Sequence, residues 1–123
     1  MVVKNVAAIA AAILTCSTPA VAQDATAGAV VFKRCVICHS VTPGKGSTIG
    51  PNLKGVVGRV SGTMPKYSYS PALVKAKLKW DKATLDRYLT KPSAVVPGNK
   101  MAYSGLPSPK DRADLIAYLA AQK

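Results

Sequence analysis

One histidine, three cysteines and five acidic residues are few for a chain of 123 residues, and each shortage excludes something. With His39 alone, no metal can be held between two imidazoles of this polypeptide. Cys35, Cys38 and His39 fall short of the four ligands that a structural zinc site of its own would need. The acids are all aspartates (Asp24, Asp81, Asp86, Asp111 and Asp114), and none lies near either internal methionine in sequence. There is no internal repeat and no low-complexity run. The longest strongly apolar stretch, Val6 to Leu14, is short for a membrane span of ~20 residues. What is present is a globular balance, 49% hydrophobic and 18% charged, with room for one domain.

The apolar stretch has another use. Lys4 precedes it, and Ala20-Val21-Ala22 follows it as an A-x-A-like cleavage site, so residues 1–22 read as a secretory signal peptide and residues 23–123 as the mature domain. A retained anchor is the competing reading, disfavoured by the short run and by Pro19 in its tail. Cys16 falls within the leader, and Thr15 before it does not suit a lipoprotein site. Without Lys4 the chain keeps 16 Lys and Arg against five aspartates, a formal +11. That balance favours encounter with acidic surfaces. Export argues against nucleic acid, and the signal leads to the expectation of a bacterial periplasmic protein.

The two remaining cysteines stand in Cys35-Val36-Ile37-Cys38-His39. Two thiols three positions apart, followed directly by an imidazole, is the pattern by which a chain is joined to haem through two thioethers while the histidine binds iron. A redox CxxC would ask for a βαβ setting, which the surrounding pattern does not offer. One covalently attached haem c is therefore the expected cofactor. As a large apolar plate it lets a short chain enclose more hydrophobic area than it could bury alone.

The rest of the chain reads as all-α. Asp24 caps a helix from Ala25 to Cys35 with Gly28, Val31 and Phe32 on one face. Ser40 to Gly62 carries too many glycines and prolines for a regular element and reads as a wrapping loop. Short helices are expected over Pro71–Lys77 and Lys82–Thr90, the second capped by Asp81, facing Leu85, Tyr88 and Leu89 inward and stopped by Pro92. Val95 to Leu106 reads as loop. Ser108-Pro109-Lys110-Asp111 starts a last helix to Ala121, whose Leu115, Ile116, Tyr118 and Leu119 would cross the Gly28/Phe32 face. With no second histidine, the soft candidates for the other side of the iron are Met64 and Met101, the alternative being an open site. Met101 is favoured, because Pro97 and Gly98 can present it from a loop, whereas Met64 precedes Pro65 in a polar turn.

Taken together, these residues resemble the class I c-type cytochromes, especially short bacterial and mitochondrial-like members. The landmarks are Gly28 and Phe32 before Cys35-Cys38-His39, then Gly50-Pro51-Asn52-Leu53, Gly58-Arg59, Tyr67-Ser68-Tyr69, Trp80, Tyr88, Pro92, Pro97-Gly98 with Lys100-Met101, Gly105, Leu115 and Tyr118. The resemblance implies a small cytochrome c-like fold, with terminal helices crossing and loops wrapped around one haem. It implies His39 and Met101 as axial ligands and the Pro51 carbonyl on the far nitrogen of His39. It further implies Tyr69 and Trp80 as donors to a haem propionate, Arg59 beside it, and Tyr88 toward Met101.

The function implied is a soluble periplasmic electron carrier, not an enzyme, passing single electrons between redox complexes. The alternative is a haem peroxidase or gas sensor with a displaceable Met101, against which the missing distal histidine counts. The partners implied are acidic docking surfaces on a cytochrome c reductase, an oxidase or another periplasmic oxidoreductase. The protein is expected to be a monomer, with no stable membrane insertion after signal cleavage. Mitochondrial members tend to carry lysines where this chain has Ser93-Ala94 and Pro107-Ser108-Pro109. Lys33, Arg34, Lys45, Lys91 and Lys100 are the cations left to ring the haem edge.

Overall fold

A computed structural model describes residues 11–17 and 23–123. The cleavage site at 20–22 and most of the leader lie outside the described residues, while 11–17 are irregular and exposed. Five helices follow in order: α1 (Ala25–Phe32), α2 (Pro71–Ala76), α3 (Lys82–Thr90), α4 (Pro92–Val95) and α5 (Pro109–Ala121). Among the described residues there is no strand, only an isolated antiparallel bridge between Val60 and Lys79. No helix among them is long and apolar enough to cross a membrane.

The fold is organised by α1 crossing α5. Gly28 makes this possible, because a Cβ built there would lie 1.9 Å from the Asp114 carbonyl oxygen and 2.8 Å from Tyr118 Cβ. The α5 backbone therefore rests on the bare glycine. One turn on, the Phe32 and Tyr118 rings pack with centroids 5.1 Å apart. Leu115, Ile116 and Leu119 are buried beneath the crossing, each side chain contributing about 1.5–3 kcal/mol of transfer free energy. The caps add direction. Asp24 accepts from the amides of Thr26 and Ala27, while its own amide donates to Asp114 Oδ1 at 2.9 Å. Asp114 is 3% exposed at its side chain and also accepts from Lys110 Nζ at 2.6 Å. A buried carboxylate thus ties the start of α1 to the first turns of α5.

Three boundaries differ from the sequence reading. α1 ends at Phe32 rather than Cys35, because the amides of Arg34 and Cys35 bond three residues back, to Val31 and Phe32, and tighten the chain into turns. α2 ends one residue early, where Lys77 takes a left-handed φ of 46°. Pro92 does more than stop α3. It occupies the first turn of α4, where its fixed φ suits a helix start and its missing N–H costs nothing, so the expected loop begins only after a short extra helix.

Candidate functional site

The turns after α1 bring the cysteines and histidine to one wall. The Cys38 and His39 amides both donate to the Cys35 carbonyl, at 3.1 and 2.9 Å, folding the motif back on itself. His39 Nδ1 lies 2.7 Å from the Pro51 carbonyl oxygen, which can only accept, so Nδ1 carries the proton and Nε2 keeps its lone pair. Burial lowers the His39 pKa, outweighing the carbonyl that raises it. The ring is therefore the neutral, oriented imidazole that a metal takes. Gly50 is needed beside it: a Cβ there would come within 2.7 Å of both Cys38 O and His39 Cε1. Burial also raises the Cys35 thiol pKa, the effect of Arg34 being the smaller and opposite one.

These residues form one side of a deep cleft whose other walls come from across the chain. Pro51, Leu53, Arg59, Tyr69, Trp80, Leu85, Tyr88, Met101, Leu106 and Leu115 all line it. Met64 does not line it; its amide instead donates to the Tyr69 hydroxyl at 3.2 Å. Met101 is presented by a side chain the sequence reading missed: Asn99 Oδ1 accepts from the Met101 amide at 2.9 Å, while Asn99 Nδ2 donates to the Val96 carbonyl at 2.8 Å. The signal was an asparagine two residues before the methionine, in a position to close a turn.

Arg59 is a half-buried cation of the cleft wall. Its Nη1 donates to Asn52 O at 3.0 Å and Nη2 to Lys54 O, so two backbone carbonyls aim the guanidinium along the cleft wall. Burial lowers its pKa, with Tyr69 opposing the shift, and the group remains a cation. Trp80 and Tyr88 pack with ring centroids 4.8 Å apart, and burial pushes the Tyr88 phenol up to about 12. Arg34, Arg59 and Lys100 line the cleft, and no carboxylate does. An apolar slot with a free imidazole, a thioether, two thiols and net positive lining fits a haem: thiols for the vinyl groups, soft and imidazole donors for iron, cations for the propionates.

Of the five cations expected at the haem edge, Arg34 and Lys100 line the cleft, and Lys33, Lys45 and Lys91 do not. Arg34 Nη1 lies 3.5 Å from Asp111 Oδ2. Lys100 Nζ donates to the Ser68 carbonyl and sits 4.9 Å from the centroid of the Tyr67 ring, strapping the Met101 segment to the Tyr67–Tyr69 segment.

Comparison with known proteins agrees with this geometry. A family model described as cytochrome c matches residues 25–123. The cytochrome c2 of Rhodomicrobium vannielii is 46% identical over 118 residues, covering 96% of this chain and 94% of that protein. The cytochrome c of Gossypium barbadense is 50% identical over 97 residues, covering 78% and 87%. The solved structure of cytochrome cH from Methylobacterium extorquens superposes with a TM-score of 0.74 at 42% identity, covering 80% of this chain and 98% of that one.

Proposed function

The chain belongs to the cytochrome c family, and from that premise we propose that it is a periplasmic carrier of single electrons whose one covalent haem c is held by Cys35, Cys38, His39 and Met101. The observation that carries this reading is the convergence of those four side chains on one cleft that no acid lines.

The haem supplies one-electron iron chemistry; the protein sets its terms. The Pro51 carbonyl fixes the tautomer and plane of His39, so that Nε2 is aimed before any metal arrives. Asn99 fixes the backbone from which Met101 offers its sulfur. The apolar walls hold water away, which favours the less charged ferrous state, and His/Met donors raise the potential further. Arg59, which lines the cleft, would offset the charge of a propionate held there. Held by both His39 and Met101, the haem iron would have no donor position left for substrate or oxygen, and the chemistry it would supply is the transfer of single electrons. Acidic faces of membrane-bound or periplasmic redox complexes are the partners that a formal +11 selects.

The test is near-infrared absorption of the oxidised protein. Met101→Ala is expected to abolish the weak sulfur-to-iron band and lower the potential, and Met64→Leu to change neither. A band that survives in the Met101 variant rejects this ligand assignment.

A further inference from the structure

Among the described residues, Arg112 is the one buried cation. It is 8% exposed and does not line the cavity. Its planar fork makes three bonds: Nε to Asp86 Oδ1 of α3 at 2.7 Å, and Nη1 to the carbonyls of Leu106 at 2.8 Å and Pro107 at 2.9 Å. Those two carbonyls end the segment that carries Met101. The same segment end is seated on α3 in two other ways. The Leu106 amide donates to the Leu89 carbonyl at 2.7 Å. Gly105 has a φ of 122°, and a Cβ there would stand 2.1 Å from the Thr90 carbonyl oxygen.

We propose that Arg112 is a positioning residue for the sixth ligand: the Asp86–Arg112 pair clamps residues 105–107 between α3 and α5 and so holds Met101 on the iron. This rests on the reading that Met101 ligates. The physical reason is the length of the tether. Met101 and Leu106 are separated by four residues, and the upstream end of the segment is already fixed by Asn99. For the sulfur to leave, the segment must lift, and lifting from the downstream end exposes two carbonyls and a guanidinium whose partners are inside the protein. Such groups are costly to leave unpaired. Lysine reproduces the clamp poorly, since one ammonium must replace an Nε and an Nη1 that separately meet the carboxylate and the two carbonyls.

The measurement is imidazole binding to the ferric holoprotein, followed by loss of the near-infrared band. Arg112→Gln is expected to bind imidazole about tenfold more tightly, equivalent to roughly 1.4 kcal/mol, or about one charge-assisted hydrogen bond. Arg112→Lys should fall between it and the parent. Ile116→Ala serves as the comparison, because Ile116 is buried in α5, does not line the cleft and makes none of the clamp's hydrogen bonds. It should lower the guanidinium midpoint while leaving imidazole affinity within about twofold. Equal tightening in Ile116→Ala, or none in a folded Arg112→Gln, overturns the clamp. If Arg112→Gln yields no holoprotein, Asp86→Asn carries the test, since it removes the ion pair and keeps both carbonyl bonds; unchanged affinity there overturns the proposal equally. Met101→Ala separates the two readings. If it alters neither band nor affinity, the ligation reading fails and takes the clamp with it, whereas a responsive Met101→Ala beside an unresponsive Arg112→Gln rejects the clamp alone.

Discussion

At the scale of single residues, what the sequence made legible was which side chains to bring together, the motif naming three of them. Cys35, Cys38 and His39 were singled out by their spacing and Met101 over Met64 by its loop setting, and the structure brings those four to one cleft that Met64 does not line. Asn99, Arg112 and Asp114 were not legible, because each acquires its role from a backbone group or charge that only the folded chain brings near. Asp114 yields a pH dependence with a definite sign. The Lys110 ammonium, and then the Asp24 amide, hold its carboxyl below the usual carboxylate range, against burial, which raises it. A depressed folded pKa gives stability that is present above the unfolded value and lost as pH falls through the folded one. Guanidinium unfolding of Asp114→Asn should therefore show a flatter acid limb than the parent below about pH 4. An unchanged slope would mean the contact carries no linkage. Arg59 yields a redox expectation: Arg59→Gln removes a cation that disfavours ferric iron, so the midpoint potential by protein-film voltammetry should fall.

At the scale of elements, four of the five helices were found in the right order, two of them with a different end, and α4 was missed. The α1 boundary was hidden because Lys33 to Cys35 keep helical spacing while their amides shift to bonds three residues back. α4 was hidden because a proline that ends one helix can start another one residue later. The α1–α5 crossing was legible from Gly28 and the Leu115/Leu119 face, though not its tightness. Gly28→Ala must move α5 by more than an ångström or distort α1, given 1.9 Å to the Asp114 carbonyl. Denaturant midpoints should place the loss at about 3 kcal/mol, the upper part of the range for overpacking. Ser108→Ala, which removes the oxygen accepting from the Asp111 amide, should lose about 1 kcal/mol by the same assay. A Gly28 variant no weaker than the cap variant would mean that the helices do not meet at this residue.

At the scale of the whole molecule, charge is distributed unevenly along the chain. Between Asp24 and Asp81 there are nine Lys and Arg and no acid. Electrostatic docking through that half should be salt-dependent, since a Debye length of about 8 Å at physiological salt leaves only nearby charges effective. Reversal at Lys45, beside the haem-attachment motif in the fold, should slow reduction by an acidic redox partner at low salt far more than reversal at Lys123. Arg34 and Lys100 are poorer probes, because reversal at either also breaks an internal contact. Stopped-flow rates across a salt series make the comparison, and equal losses at Lys45 and Lys123 would mean that net charge acts without a patch.

The carrier reading depends most on an iron closed on both faces, and carbon monoxide tests that closure directly. Ferrous holoprotein at neutral pH is placed in CO-saturated buffer while its visible spectrum is followed. The expected result is an unchanged ferrous spectrum, with Met101→Ala binding CO promptly as the positive control. Prompt formation of a CO complex by the unaltered protein would contradict the carrier reading and favour a ligand-binding or peroxidase role.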